Sequence, residues 1–274
     1  MDLQRIVFIG AGNVATHLAE AFFKKGFPVV QICSRSEASA KELAERCNAS
    51  FTTDIRQITP NADVYIYALK DDVIRSIAEQ NPIKTGLHLH TAGSVPMSVF
   101  ADLFEHYGVL YPLQTFSKQH FVDFSKIPLF IEANITDVNN KIVLFASKIS
   151  DNVQYADSEK RSLLHLSAVF ACNFVNHLCA IAEKITDEMG ISFKILLPLI
   201  QETVAKLETL RPTEAQTGPA VRNDTSTMEK HLDLLKSMPM EQEIYKLICE
   251  NIMKLENEKY CHTALDAVSP IEDS

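Results

Sequence analysis

The chain has 274 residues, of which 46% are hydrophobic and 22% charged, and its formal net charge is −9. This composition is typical of a soluble globular protein with a sizeable core and, by length, two domains. The acidic balance, without a basic run longer than two residues, argues against nucleic acid as a partner. Six cysteines without a CxxC spacing indicate free thiols, and the strand pattern at the N-terminus leaves no room for a signal peptide, so we expect a cytoplasmic protein.

The first predicted element is a strand over residues 6–9, followed by a glycine-rich turn and an amphipathic helix that ends at Gly26. Gly10 permits the tight turn, and Gly12, which has no Cβ, lets a pyrophosphate approach the backbone. The N–H groups at the start of the helix are then free to bind phosphate. The alternative is a turn that needs glycine only for its geometry. The pattern predicts a dinucleotide site with the loop residues Gly10, Ala11, Gly12, Asn13 and Val14.

The second predicted strand, residues 28–33, is followed by Ser34, Arg35 and Ser36. An NAD site places an acidic residue near this strand end to bind the ribose 2′-hydroxyl, and none is present here. A guanidinium between two hydroxyls suits a 2′-phosphate instead, which predicts NADP. A hydrogen bond to a charged group contributes about 1.5–3 kcal/mol, roughly a 10- to 150-fold preference over NAD. The alternative is that Ser36 caps the next helix and Arg35 is only solvated.

The next strands are separated by helical segments, which is typical of βαβ units in a parallel sheet. Their predicted ranges are 62–69, 87–91, 108–113 and 128–133. The sequence therefore predicts an α/β fold with a Rossmann doubly wound, mostly parallel sheet. Asp71 is expected to cap the helix that follows the first of these strands. Because ligands bind outside the carboxyl ends of such strands, we expect the nicotinamide ribose to be flanked by Leu69, Lys70, Thr91, Ala92 and Gly93.

The second half of the chain has helical periodicity almost throughout. We predict a dinucleotide-binding Rossmann domain over residues 1–156 and an all-helical domain for substrate binding and homodimerisation over residues 157–274. Residues 162–182 have no formally charged side chain, a length that could span a membrane, but six polar groups interrupt the segment. We interpret it as a central helix buried by its own helices or by a second subunit. Further helices are expected at 192–210, 225–237 and 240–263.

Two side chains on this long helix are candidates for chemistry. His165 is the candidate proton donor, because histidine exchanges a proton near neutral pH; the alternative is a buried histidine with a structural role. Asn173 is the candidate to orient a substrate carbonyl or carboxylate; the alternative is hydrogen bonding between packed helices. Eight residues turn an α-helix by about 800°, which leaves the two side chains about 80° apart around the axis.

Two further groups of polar residues were candidates for ligand binding. His88 and His90 lie two apart on a strand and point to the same face. No Cys, Asp or Glu completes a ligand set at a familiar spacing, so no metal is predicted, and His90 is a candidate contact for cofactor or substrate. Arg222 is a candidate to hold an anionic substrate group; the alternative is a structural loop tied by Arg222 to a carboxylate. Asp224 is expected to cap the helix that follows.

Five segments occur together in one order: FIGAGNVATHLAEAF (8–22), SRS (34–36), YPLQTFS (111–117), HLSAVFACNFVNHL (165–178) and GPAVRND (218–224). In these segments the chain resembles a family of NADP oxidoreductases with a Rossmann-like domain and a C-terminal domain of unknown function. It is more distantly similar to pyrroline-5-carboxylate reductases and β-hydroxyacid dehydrogenases. The resemblance implies a Rossmann domain, an all-helical dimerising domain and NADP, but no substrate. The long helix lacks the lysine that β-hydroxyacid dehydrogenases carry at the reaction centre, which argues against hydroxyacid chemistry.

These observations predict an NADP-dependent oxidoreductase without a metal or a membrane partner. A hydride would pass between NADPH and a small carbonyl or imine compound at the domain interface. The alternative is a non-catalytic NADP-binding protein that senses redox state and acts through a partner, because a fold does not fix a function. NADPH oxidation that requires an added flavin or deazaflavin would indicate a third possibility.

Overall fold

One eight-stranded sheet forms the centre of the N-terminal half of the protein. A computed structural model describes residues 3–120 and 122–266, with side chains as far as residue 258. The strands are β1 (Ile6–Ile9), β2 (Val29–Cys33), β3 (Ser50–Thr52), β4 (Val64–Tyr67), β5 (Leu87–His90), β6 (His106–Pro112), β7 (Leu129–Ala133) and β8 (Val153–Tyr155). Their order across the sheet is β3-β2-β1-β4-β5-β6-β7-β8, and only the pair β6–β7 is antiparallel. The predicted doubly wound, mostly parallel Rossmann fold is confirmed.

The described residues contain ten α-helices. They are α1 (Asn13–Lys24), α2 (Glu37–Arg46), α3 (Ile74–Gln80), α4 (Thr136–Ala146), α5 (Ser158–Ala168), α6 (Val175–Glu188), α7 (Leu197–Lys206), α8 (Pro212–Ala215), α9 (Thr225–Leu234) and α10 (Pro239–Asp266). A π-helical segment, Val169–Phe174, joins α5 to α6. The long helix begins at Ser158, where Asp157 caps it by accepting a hydrogen bond from the N–H of Lys160.

The central strands are apolar on both faces because helices and loops cover both faces of the sheet. Every residue of β1 and β4 is buried. On one face, Phe8 packs in the larger core cluster with the helices α1, α2 and α4. On the other face, Ile9 and Tyr67 pack with a second cluster. Ile9 pairs with Cys33 on one side and Tyr67 on the other, so these strands end at one edge of the sheet.

The chain divides into two compact units, Met1–Val175 and Asn176–Ser274. The first unit contains the sheet and its two core clusters. The second unit is helical, and its described core is small: Ala220, Met228 and Cys249 are buried together. The predicted domain limits, 1–156 and 157–274, place the division at the start of the long helix rather than within it, and they stay a prediction.

The long helix has an apolar surface that the rest of the chain leaves exposed. Its 31 residues, Ser158–Glu188, include a stretch with a mean hydropathy of 1.4, long and apolar enough to cross a membrane, and none of that stretch is buried. Burial by the protein's own helices, one of the two expected arrangements, is therefore wrong. Burial by a second subunit is the other expected arrangement, and it stays a prediction.

The cysteines with described side chains are free thiols, as expected. They are Cys33, Cys47, Cys172, Cys179 and Cys249. Burial raises the pKa of the Cys33 and Cys47 thiols to about 11. These two thiols therefore stay protonated and unreactive at neutral pH. The side chain of Cys261 lies outside the described residues.

Candidate functional site

The turn between β1 and α1 presents free backbone groups to an open space. Gly10 has a φ of +117°, and a Cβ there would lie 2.1 Å from the carbonyl oxygen of Ala68, so only glycine fits. Gly12 is the N-cap of α1 and supplies no side-chain cap. No described atom beyond its chain neighbours lies within 4 Å of the position that a Gly12 Cβ would occupy. Because the first amides of a helix have no intrahelical acceptor, this geometry fits a bound pyrophosphate.

The three residues after β2 combine a structural cap with an unpaired cation. Ser36 Oγ accepts a hydrogen bond from the N–H of Ser39 at 3.4 Å, so the cap that was weighed as an alternative is present. Arg35 is exposed, and it forms no ion pair with any residue in the described ranges. The N–H of Ser34 donates to the carbonyl of Thr52, which fixes the start of the turn. The guanidinium therefore remains available for a phosphate.

A segment around Phe116 lies over the first turns of α1. The Asn13 side-chain amide donates to the Phe116 carbonyl at 2.8 Å. His17 Nε2 lies 3.0 Å from the Ser117 carbonyl, and the His17 ring stacks on Phe116 with centroids 4.9 Å apart. Asn13, a predicted cofactor residue, is thus held by this segment at the edge of the glycine turn.

The loops after β4 and β5 lie side by side, because these strands are parallel neighbours. Ser94 Oγ donates a hydrogen bond to Asp71 Oδ2 and joins the two loops. The expectation that Asp71 caps the next helix is wrong, because the 3₁₀ helix that starts there has Lys70 as its N-cap and no side-chain cap. Among the residues predicted to flank the nicotinamide ribose, Leu69 is half-buried and Lys70 exposed, while three are buried: Thr91, Ala92 and Gly93.

His165 lies directly against the loop after β5. A Cβ on Gly93 would come within 2.8 Å of Cβ, Cγ and Nδ1 of His165, so a residue without a Cβ is needed for this approach. His165 Nδ1 lies 3.1 Å from the hydroxyl of Tyr111, and the two rings meet at 74° with centroids 6.2 Å apart. His165 is partly exposed, and its Nε2 has no partner among the described residues. Tyr111 therefore holds Nδ1 of His165, and Nε2 is free to act on a ligand.

A buried ion pair between Arg161 and Glu132 holds the loop after β5 in place. Arg161 in α5 is fully buried, and its Nη1 lies 2.5 Å from Glu132 Oε2 in β7. The guanidinium also donates to the carbonyls of Ala92, at 3.3 Å, and Val95, at 2.6 Å. A planar guanidinium can bind a carboxylate and two carbonyls at once. Arg161 therefore fixes the loop that contains Gly93.

The two strand histidines are buried and neutral. His90 Nδ1 accepts a hydrogen bond from the N–H of Ala92 at 3.3 Å, and its ring packs edge-on against Phe100. Burial, reinforced by the charge of Arg161, lowers the pKa of His90 to about 3, and burial lowers the pKa of His88 to about 3. His90 supports the loop here, and its fully buried ring leaves no surface open to a ligand. Within the described residues, no three His, Cys, Asp or Glu side chains cluster so as to hold a metal.

Asn173 lies in the π-helical segment Val169–Phe174, which the sequence pattern does not reveal. A π-helix makes i→i+5 hydrogen bonds and takes more residues per turn than an α-helix. Each residue then turns by a smaller angle, which reduces the offset of about 80° expected for a regular helix. Asn173 is exposed, and the π-segment brings it toward the face of the helix that carries His165.

Arg222 belongs to the second unit. Asp224 accepts a hydrogen bond from the N–H of Thr227 at 3.1 Å, which confirms it as the cap of α9. Arg222 itself is exposed and makes no ion pair in the part of the chain that the structure describes. The charge of Arg222 contributes to lowering the pKa of the Asp224 carboxyl, so both the structural alternative and the substrate-binding role stay predictions.

The sequence patterns do not identify Tyr111, Arg161 or Glu132 as site residues. Tyr111 belongs to a segment that supports the family resemblance but carries no chemical motif. Glu132 is the one charged residue of β7, and a charge within an apolar strand signals a buried partner. That signal could have indicated a cation nearby, but not that the cation is Arg161.

Two family descriptions match the sequence. "NADP oxidoreductase coenzyme F420-dependent" matches residues 5–88, and "Domain of unknown function (DUF2520)" matches residues 127–252. No curated protein matches the chain with significance. The first match covers the glycine turn, Arg35 and the loop after β4, and the second covers the long helix and most of the second unit.

Several solved structures share the fold. A Bacteroides fragilis protein named "putative NADP oxidoreductase" is 46% identical, with a TM-score of 0.87, and the match covers 92% of this chain and 99% of that one. A reductive aminase from Aspergillus terreus, in complex with NADPH and ethyl-5-oxohexanoate, is 14% identical, with a TM-score of 0.66 and coverage of 95% and 94%. A 1-pyrroline-5-carboxylate reductase from Streptococcus pyogenes is 12% identical, with a TM-score of 0.59 and coverage of 93% and 100%. The last two show the fold alone.

Proposed function

The chain belongs to the NADP oxidoreductase family, and from this premise we propose that it reduces a small carbonyl or imine compound, with His165 as the proton donor. The observation that carries the proposal is the placement of His165 against Gly93, with Nδ1 held by Tyr111 and Nε2 free. Gly93 lies just beyond the carboxyl end of β5, at the sheet edge where ligands bind in this fold. His165 lies in the predicted second domain and Gly93 in the first, so the reaction would occur where the predicted domains meet.

The cofactor requires two separate contacts from this chain. We assign the pyrophosphate to the amides around Gly12, where the space is open, and the 2′-phosphate to Arg35, whose guanidinium is unpaired. The nicotinamide ribose is assigned to the loops after β4 and β5. The residues proposed to contact the cofactor are Gly10, Ala11, Gly12, Asn13, Val14, Ser34, Arg35, Ser36, Leu69, Lys70, Thr91, Ala92 and Gly93.

The reaction needs a proton as well as a hydride. NADPH, when bound, supplies the hydride to the carbon of a C=O or C=N bond. The oxygen or nitrogen of that bond then needs one proton, and Nε2 of His165 is assigned to give it. We assign Asn173 to orient the same polar atom, since the π-segment brings it toward the His165 face. His90 would act only through the loop that it supports.

The substrate class rests on chemistry and on the named relatives. The similar proteins include a reductive aminase and a pyrroline-5-carboxylate reductase, and these names support a C=N or C=O compound as the substrate. Arg222 provides an exposed cation for a carboxylate or another anionic group of the substrate. The matched family description also names coenzyme F420, so a deazaflavin belongs among the compounds to test.

We further propose that the protein is a homodimer that buries the apolar surface of the helical region. Of the 24 large hydrophobic side chains that are exposed in the described chain, 14 lie between Leu163 and Leu210. On the long helix Leu163, Leu166, Phe170 and Phe174 recur every three or four residues, which forms one stripe. Exposed stripes of this size mark an interface. The five free thiols support a reducing, cytoplasmic location for this dimer.

The proposal is tested by following NADPH oxidation with a panel of cyclic imines, aldehydes, ketones and one deazaflavin. We expect turnover of at least one carbonyl or imine, and His165→Ala should lower kcat by about 10²- to 10⁴-fold while the Kd for NADPH stays unchanged. His177→Ala, on the same long helix, is the matched control and should leave kcat unchanged. Tight NADPH binding without turnover of any compound would contradict the proposal and favour a redox sensor.

The dimer is tested separately by sedimentation of the full-length protein. We expect a dimer in the wild type and a shift toward monomer for Phe170→Asp, because a charge in the apolar stripe would be buried on association. Leu144→Asp, at an exposed position of α4 outside this stripe, is the control and should remain dimeric. A wild-type monomer at micromolar concentration would contradict the proposed dimer.

A further inference from the structure

Tyr111 supplies the hydrogen-bonding partner that His165 needs. We propose that Tyr111 is a positioning residue that holds His165 in the neutral tautomer with its proton on Nε2, the nitrogen that has no partner among the described residues. The inference rests on the proposed role of His165 and adds the group that determines which nitrogen carries the proton. When Nε2 gives its proton to the substrate, Nδ1 takes the proton of the Tyr111 hydroxyl, so the imidazole stays neutral and the phenolate regains a proton from water. It begins from one contact, the 3.1 Å between the Tyr111 hydroxyl and His165 Nδ1.

The direction of this hydrogen bond follows from the surroundings of the hydroxyl. Tyr111 is 8% exposed, and His165 Nδ1 is the one hydrogen-bonding partner of its hydroxyl in the described ranges. A buried hydroxyl has a single proton to donate and rarely leaves it unpaired. The hydroxyl therefore donates, and Nδ1 accepts. A neutral imidazole that accepts at Nδ1 carries its proton on Nε2.

The packing around Tyr111 keeps the hydroxyl a donor. Its ring lies in a cluster with Val109, Phe130 and Ala156, and Leu164 of α5 packs against the same cluster. Burial raises the pKa of Tyr111, so the phenol stays protonated throughout the neutral range. The cluster joins β6 and α5, which fixes the distance between the hydroxyl and the imidazole.

Two contacts together restrict the imidazole. Gly93 packs against Cβ, Cγ and Nδ1 of His165, which prevents the ring from moving toward the loop. Tyr111 meets the ring edge at 74° and binds its Nδ1. A 180° flip of the ring about the Cβ–Cγ bond would place Cδ2 beside the Tyr111 hydroxyl and would break this hydrogen bond. The tyrosine therefore selects both the ring orientation and the tautomer.

The experiment is nitrogen NMR of ¹⁵N-histidine-labelled full-length protein with NADP⁺ present, on the wild type, Tyr111→Phe and Tyr107→Phe. His165 is assigned by comparison with His165→Ala. In the wild type we expect Nε2 to give the shift of a protonated nitrogen and Nδ1 that of an unprotonated acceptor. In Tyr111→Phe we expect an averaged or reversed pattern. Tyr107, on the same strand with no hydrogen-bonding partner for its hydroxyl among the described residues, should leave the pattern unchanged.

The outcomes separate this inference from the proposed function. A wild-type proton on Nδ1, or an unchanged pattern in Tyr111→Phe, overturns the role of Tyr111 whatever the activity shows. With a substrate found in the panel, Tyr111→Phe should lower kcat at least tenfold with an unchanged Kd for NADPH, and adding it to His165→Ala should lower kcat no further. If His165→Ala alone leaves kcat unchanged, the proposed function fails, while the NMR result still decides the tautomer.

Discussion

The glycine turn and the Tyr111–His165 pair lie at the carboxyl edge of one sheet, yet they depend on different parts of the chain. The proposed cofactor end, which comprises Gly10, Gly12 and Arg35, lies within one short βαβ unit and depends on its backbone geometry. The proposed reaction end, which comprises Gly93, Tyr111 and His165, brings together residues from a loop, a strand and a helix. Gly12 and Arg35 at the proposed cofactor end are exposed, whereas the proposed reaction end rests on buried groups.

This difference determines what can damage each end. The cofactor end should tolerate changes in distant packing, because strand, turn and helix are adjacent in sequence. The reaction end should be sensitive to such changes, because its loop is held by a buried ion pair, by the buried His90 and by the packing of α5 on β6. Substitutions that affect only one end can therefore separate the contribution of the cofactor end from that of the reaction end.

The largest effect is expected from Arg161→Met. The substitution leaves Glu132 buried without its cation, and breaking a buried pair in this way costs about 3–5 kcal/mol. The loop that contains Gly93 also loses its two hydrogen bonds from the guanidinium. We expect the free energy of unfolding in urea to fall by that amount, and turnover to fall further than NADPH affinity.

The double variant Arg161→Met with Glu132→Leu is the control for this prediction. It removes both charges, so most of the lost stability should return. Turnover should stay low, because the loop carbonyls still lack their donor. If the single variant is as stable as the wild type, the ion pair does not hold the reaction end.

The two ends also differ in how far the sequence determines them. Gly10, Gly12 and Arg35 lie within one local pattern whose spacing has a physical reason, and the fold class follows from the alternation of strands and helices. Tyr111 and His165 are 54 residues apart, and only the packing of α5 on β6 brings them together. The π-segment around Asn173 and the partner of Glu132 likewise have no local signal. The reaction end could therefore be only partly predicted.

The second prediction concerns pH. The unfolded chain protonates His88 and His90 below their ordinary pKa of 6.5, whereas burial keeps both neutral in the folded protein until about pH 3. Stability is therefore complete above pH 6.5 and is lost as the pH falls through that value toward 3. By pH 5 the free energy of unfolding should have fallen by about 2 kcal/mol per histidine.

Urea denaturation at pH 7, 6 and 5 measures this loss. His88→Gln keeps a polar side chain that does not titrate in this range, so its free energy of unfolding should change about half as steeply with pH. A wild-type free energy of unfolding that stays constant from pH 7 to pH 5 would show that the strand under the reaction end is not built as described.

The third and smallest effect distinguishes two glycines of the cofactor end. Gly10→Ala places a Cβ 2.1 Å from the Ala68 carbonyl at a φ of +117°, so the free energy of unfolding should fall by at least about 2 kcal/mol. Gly12→Ala meets no described atom within 4 Å, so stability should be unchanged while the Kd for NADPH rises at least tenfold. Equal NADPH affinity of Gly12→Ala and wild type would mean that the pyrophosphate does not approach this turn.

The central claim, that this cleft holds NADPH through an unpaired guanidinium at one end and presents it to His165 at the other, is tested most directly by calorimetric titration. NADPH and NADH are each titrated into the wild type and Arg35→Ala. We expect the wild type to bind NADPH more tightly than NADH, and Arg35→Ala to lose at least tenfold in affinity for NADPH alone. Equal binding of the two nucleotides by the wild type, or an equal loss for both in the variant, would contradict it.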